Sequence, residues 1–177
     1  GTFLVENNQL KKISDFTGGW VLKKIPELKN TFIQGTYGGL VRFDVQNGKW
    51  ETQHLGDKTI PIKYLVFENA YTAWVAHAYR GLFRVKFNEN HDRILSFKNY
   101  RDKGLWSDFN VKVHKIKNDI CFKTNQGWQK YEAIVDSIVP HKLLSSSFGS
   151  DTDIISESDT DVIVTKNSSD KISFVSL

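Results

Sequence analysis

One twelve-residue pattern recurs along the chain and restricts what it can fold into. Phe32-Ile33-Gln34-Gly35-Thr36-Tyr37-Gly38-Gly39-Leu40-Val41-Arg42-Phe43 reads as two short strands hinged on a glycine turn. Phe32, Ile33, Val41 and Phe43 are good strand formers. Tyr37-Gly38-Gly39 supplies backbone that tolerates φ > 0, as a tight hairpin needs. The pattern returns 42 residues after Gly39, at Gly81, within Trp74-Val75-Ala76-His77-Ala78-Tyr79-Arg80-Gly81-Leu82-Phe83-Arg84-Val85. It returns again 46 residues later, at Gly127, within Ile120-Cys121-Phe122-Lys123-Thr124-Asn125-Gln126-Gly127-Trp128-Gln129-Lys130-Tyr131. Residues 162–174 are a worn fourth copy, with Ser169 or Asp170 in the glycine's place. A lone hairpin is marginal in water, but strand-rich sequence repeating every 40 to 50 residues or so predicts a propeller.

The rest of the chain fits that frame. Residues 2–13 read as strand, Asn-rich turn and strand, the same hairpin without its preceding strand. Strands are predicted over 20–25, 31–36, 40–44 and 50–55, with Pro26 forcing a bend and Asn47-Gly48 a two-residue hairpin turn. The second repeat predicts strands over 62–68, 73–78, 82–87 and 94–99. The third predicts 111–117, 120–124, 128–133 and a weaker one over 139–144. From Ser145 to Asp161 the composition turns to Ser, Asp and Thr, as in a linker. Strand-type cores at 153–157 and 162–164 instead favour a degenerate blade. No segment sustains a helical period, so the expected fold is almost purely β.

The expected architecture is an all-β propeller of about four four-stranded antiparallel blades. A partial blade spans 1–16, blades span 17–58, 59–103 and 104–147, and a degenerate or partial blade spans 148–177. Closed propellers have roughly 4 to 8 blades, so an incomplete segment of a larger propeller is expected. Its open ends would let copies self-associate. The lack of methionine and the start at Gly1 in strand-like sequence point to a piece of a longer polypeptide.

Composition excludes more than it identifies. The net charge of +4 is spread over lysines and arginines that stand mostly singly, which reads as a solvated surface and not a nucleic-acid groove. The single Cys121 permits neither an intrachain disulfide nor a zinc cluster, and its apolar strand predicts a buried thiol. No stretch has the length of a membrane span.

Gly104-Leu105-Trp106-Ser107-Asp108-Phe109-Asn110-Val111-Lys112-Val113-His114-Lys115-Ile116, with the hairpin over 120–131, resembles the two-component regulator propeller repeat. That repeat runs Gly-Leu, a Ser-containing turn, a first strand, then Leu-Trp-x-Gly-Thr-x-x-Gly-Leu-x-x-Tyr. Phe32 stands at its Trp, Gly35-Thr36 at Gly-Thr, Gly39-Leu40 at Gly-Leu and Phe43 at its Tyr. Trp74, Gly81 and Leu82 fit in the second copy, where His77-Ala78 replaces Gly-Thr. The third keeps Thr124 and Gly127 but has Trp128 for Leu. The resemblance covers about 20–174, and no copy is perfect. It implies a periplasmic sensor half of a bacterial regulator, commonly from Bacteroidetes, attached in the same polypeptide to a histidine kinase or helix-turn-helix output domain.

No motif carries catalysis. The five histidines lack metal-ligand spacing, and Asp151-x-Asp153 and Asp159-x-Asp161 lack the glycine and distal glutamate of a calcium loop. They read as Asx turns. Expected are no catalytic residues, no metal and no cofactor. Because the repeated hairpin is scaffold, function is sought where copies differ and where aromatics occupy turns. The candidate ligand-binding residues are Tyr37, His77, Tyr79, Arg80 and Trp128, for a saccharide or other small ligand. The expected function is a non-enzymatic sensory module of a signal-transduction or transcriptional regulator, with no direct nucleic-acid binding. Two alternatives stay open: a polysaccharide-active hydrolase or lyase, and a protein-interaction scaffold.

Overall fold

The glycine at the centre of each repeat adopts the backbone that the pattern demands. Gly39, Gly81 and Gly127 have φ of 114°, 84° and 126°, a region that side chains oppose. In this computed structural model, which describes residues 1–56, 60–77, 79–157, 161–166 and 171–176, each of the three begins the strand after a tight turn. Ala78, Asp159, Ser169 and Asp170, which the sequence reading singled out, lie outside the described residues.

The chain opens with a two-stranded hairpin, β1 (Thr2–Glu6) and β2 (Gln9–Ser14), turned at Asn7 and Asn8, both with positive φ. Three four-stranded antiparallel meanders follow. The first holds β3 (Val21–Lys24), β4 (Thr31–Thr36), β5 (Gly39–Gln46) and β6 (Lys49–Leu55). The second holds β7 (Tyr64–Asn69), β8 (Thr72–His77), β9 (Gly81–Phe87) and β10 (Ile94–Asn99). The third holds β11 (Lys112–Ile116), β12 (Asp119–Thr124), β13 (Gly127–Glu132) and β14 (Ser137–Pro140). A short helix, α1 (Lys142–Phe148), leads to a three-stranded sheet of β15 (Thr152–Glu157), β16 (Asp161–Lys166) and β17 (Ile172–Ser176). The first strands of successive sheets, β3, β7, β11 and β15, lie side by side, so the sheets pack face to face as propeller blades. The predicted β-propeller is therefore the fold. Three of its sheets are complete four-stranded blades, and the two outer ones have two and three strands.

Face-to-face packing makes the inner strands apolar on both faces, and the two-residue period of a strand divides them between two cores. In β8, Ala73 and Val75 join the core against the first blade, while Trp74 and Ala76 join the core against the third. In β12, Ile120 and Phe122 face the second blade, and Cys121 faces the terminal sheet. The wholly buried Trp74 centres one seam, with ring centroids 4.6 Å from Tyr100, 5.0 Å from Phe122 and 4.8 Å from Tyr131. Its indole Nε1 donates to Glu68 Oε2 at 2.9 Å, and the same carboxylate accepts two bonds from Arg84. Gly35 permits a close approach between the first two blades, because a Cβ there would lie 2.6 Å from the Ile62 carbonyl oxygen.

The structure corrects one expectation. The predicted strand over 139–144 ends at Pro140, and α1 follows. His141 caps it, its Nδ1 accepting from the Leu144 amide at 3.3 Å. Leu144 and Phe148, four residues apart and so on one helix face, both enter the third core. Seven residues are too few to display a helical period in sequence.

The outermost faces are not covered. Phe3, and Val5 paired with Leu10, are exposed on the first hairpin, as are Ile172 and Phe174 on β17.

Two measurements follow. Trp74→Ala should destabilise the chain by about 3–5 kcal/mol in chemical denaturation, since it empties the centre of a seam. Glu157 on β15 is bonded at 2.7 Å to His114 Nδ1 on β11. Burial pushes its carboxyl up, but the His114 bond and the charges of His114 and Lys23 outweigh this and hold it below the ordinary carboxylate range. A lowered carboxyl stabilises the fold above its unfolded value, about 4.3, and the gain is lost as pH falls through the folded value. Glu157→Gln should therefore cost stability at pH 7 and flatten the loss of stability between about pH 5 and 3 in urea melts.

Candidate ligand-binding face

In an antiparallel meander, the turn between second and third strands emerges on the same side as the connection to the next sheet. The turns β4–β5, β8–β9 and β12–β13 therefore share one face with the segments leading into β3, β7, β11 and β15. Tyr37, on the first turn, is 54% exposed, and its ring stands edge-on to Trp20 at 5.3 Å. Lys63 places its ammonium 4.9 Å over the Trp20 ring and 5.6 Å over Tyr64.

The next turn carries three of the candidates together. His77 Nδ1 accepts from the Tyr79 amide at 3.3 Å, and the Arg80 amide donates to the His77 carbonyl at 3.3 Å. The Tyr79 ring, 65% exposed, lies 5.9 Å from His77 and 5.1 Å from Phe109, itself 60% exposed. Partial burial, and then the charges of Lys63 and Arg80, hold the His77 imidazole below its usual range, so at neutral pH the ring is uncharged and can accept a hydrogen bond. Asp108, bonded to Arg101, lies against Gly81 at the end of the same turn. The result is a band of exposed ring faces and cations running from Trp20 and Tyr37 by Lys63 to His77, Tyr79 and Phe109.

Trp128 does not join this band. It is wholly buried, its Nε1 donates to the Gly149 carbonyl at 2.9 Å, and its ring packs near His114 and Phe148. The position that holds Leu in the repeat this sequence resembles holds a larger core residue here, and Phe148 of α1 supplies a contact. In its stead Trp106, 40% exposed, lies across the third turn, close enough that a Cβ on Gly127 would touch it at 3.4 Å. Sequence reasoning passed over Trp20, Lys63, Trp106 and Phe109. Trp106 and Phe109 sit in the Gly104–Asn110 stretch, where rings in a Ser-containing turn were the available signal.

Further in, the first strands contribute polar side chains. Lys112 on β11 pairs with Asp153 on β15 at 2.8 Å, and burial, with the Asp153 charge, pushes the Tyr64 hydroxyl on β7 upward. Lys123, almost completely buried, donates to the carbonyls of Thr124 at 2.9 Å and Ser150 at 2.5 Å. Burial lowers its ammonium from the usual range. Asp153 is thus committed to a lysine, and among the described residues no group of three or more His, Cys, Asp or Glu side chains comes together to hold a metal. Nor is any helix of the described residues long and apolar enough to cross a membrane.

No family model matches the chain, and no curated protein matches it. Solved structures do. Two are described as the extracellular domain of BT4673 from B. thetaiotaomicron, in one case as a hybrid two component system and in the other as a one component system. They share 13% and 12% sequence identity with this chain, each at a TM-score of 0.59. Each comparison covers 97% of this chain, which spans 27% of the length of those chains. At such identity the likeness is one of fold: this chain is built as part of their propeller architecture is built.

Proposed function

We propose that this chain is a non-enzymatic ligand-binding module of a bacterial signal-transduction regulator, working outside the cytoplasm and passing its signal to output domains of the same polypeptide. The observation that carries the reading is the band of solvent-facing rings on the turn side, Trp20, Tyr37, Tyr79 and Phe109, interleaved with Lys63 and Arg80. Apolar ring faces flanked by hydrogen-bonding cations suit a saccharide, whose C–H faces stack while its hydroxyls bond. The solved relatives, extracellular domains of two component and one component systems, support a sensory role. Chemistry finds less support. Among the described residues, Asp15, Asp136 and Glu157 are carboxyls whose acidity is shifted downward, away from the raised value of a general acid.

Titration of the chain with a panel of oligosaccharides should find a saturable ligand. Tyr79→Ala and Tyr37→Ala should each weaken it about five-fold, in line with roughly 1 kcal/mol per lost aromatic contact. Release of reducing ends from any polysaccharide, abolished by changing one carboxylate, would overturn the reading in favour of a hydrolase or lyase.

The uncovered faces support a second partner, another copy of the chain. The first hairpin offers Phe3, Val5 and Leu10 beside Lys12, and the last sheet offers Ile172 and Phe174, so contact between the two ends is head-to-tail. Light scattering should show mass rising with concentration, and Phe174→Lys should restore the monomer. A monomer at all concentrations would exclude it.

A further inference from the structure

A second site lies away from the turn face, on the flank where the outer strands of the second blade meet the third. β9 and β10 pair so that Arg84 stands opposite Lys98, and Lys86 opposite Ser96. Like charges placed directly across a sheet repel, and here three cations share one patch. Two carboxylates relieve part of it. Glu68 takes Arg84 at 2.6 Å, and Asp136, on the turn before β14, takes Lys98 at 2.5 Å. Asp136 also accepts from the hydroxyls of Tyr100 at 2.5 Å and Tyr131 at 3.1 Å, with Lys103 at 3.8 Å. Lys86 has no carboxylate among the described residues, and the Ser96 hydroxyl beside it has no hydrogen-bond partner there. Between these walls is a polar cleft of about 360 Å³, at the small end of ligand pockets.

We propose that this cleft binds an oxyanion group, sulfate, phosphate ester or carboxylate, carried by a small polar molecule. Lys86 and the Ser96 hydroxyl hold the anion, with the Lys98 ammonium, already partnered by Asp136, beside them. The residual positive charge of the patch is the driving term. Glu68 and Asp136 are fully committed to Arg84 and Lys98, so the charge of Lys86 is left for a ligand to neutralise. The site does not rest on the saccharide reading of the turn face, because it shares no residue with it.

The test is calorimetric titration of the chain with sodium sulfate, sodium phosphate, glucuronate and, as the neutral counterpart, glucose. The proposal expects saturable binding of at least one anion and none of glucose. It also expects binding to weaken ten-fold or more in Lys86→Gln and several-fold in Ser96→Ala, at unchanged melting temperature. Lys142→Gln, which removes the same charge from an exposed helix position, should change nothing, and Tyr79→Ala should leave the anion bound. Sulfate or phosphate alone would assign the anion to an ester or inorganic ion, and glucuronate alone to a carboxylate. Either supports the site. Absence of saturable binding of every anion, or equal weakening by Lys86→Gln and Lys142→Gln, would overturn it.

Discussion

The inner strands must be apolar on both faces. A sheet packed on one side can send every second residue to water, but β8, between two neighbours, has no water-facing side along most of its length. Everything else accommodates that condition. Polar groups inside a seam need partners there, as when Glu68 accepts from both Trp74 and Arg84. At Gly35 the missing side chain lets the backbone of the next blade come close. Each seam is shared by two sheets, so no blade is stable by itself, which is the logic of a repeat array.

That condition explains what could be read from the sequence. The glycines at 39, 81 and 127 report a backbone need that is local, and local needs survive in sequence. So do the strand cores and the Asn47-Gly48 turn, which adopts φ of 51° and 74°. Tyr37, His77, Tyr79 and Arg80 were legible as turn residues for the same reason, and they do lie on one face. Trp128 was not. Whether an aromatic after a turn faces water or a neighbour depends on what the next segment does, and there the next segment forms α1, whose seven residues carry no readable period. The part played by Lys63 and Phe109 depends on contacts between blades, between positions 43 residues apart for Trp20 and Lys63 and 30 apart for Tyr79 and Phe109. Spacing along the chain holds no record of such meetings.

The two sites differ in what they ask of a ligand. The turn face offers ring surfaces on short loops carried by strands, which is the surface the proposed stacking of a ligand would use. The flank cleft is built from two paired strands and one latched turn, and its recognition is by charge. One molecule carrying both an apolar face and an acid group would not reach both at once, since they open on different sides of the propeller.

Cys121 adds a consequence of a different kind. Its side chain is wholly buried in the seam between the third blade and the terminal sheet. Burial first, and the nearby Asp119 charge, push the thiol up to about 12, so it stays protonated and inert while the seam is closed. When the seam opens, sulfur meets solvent and can ionise. Its rate of alkylation under native conditions therefore reports how often this seam opens, whether locally or with the whole propeller.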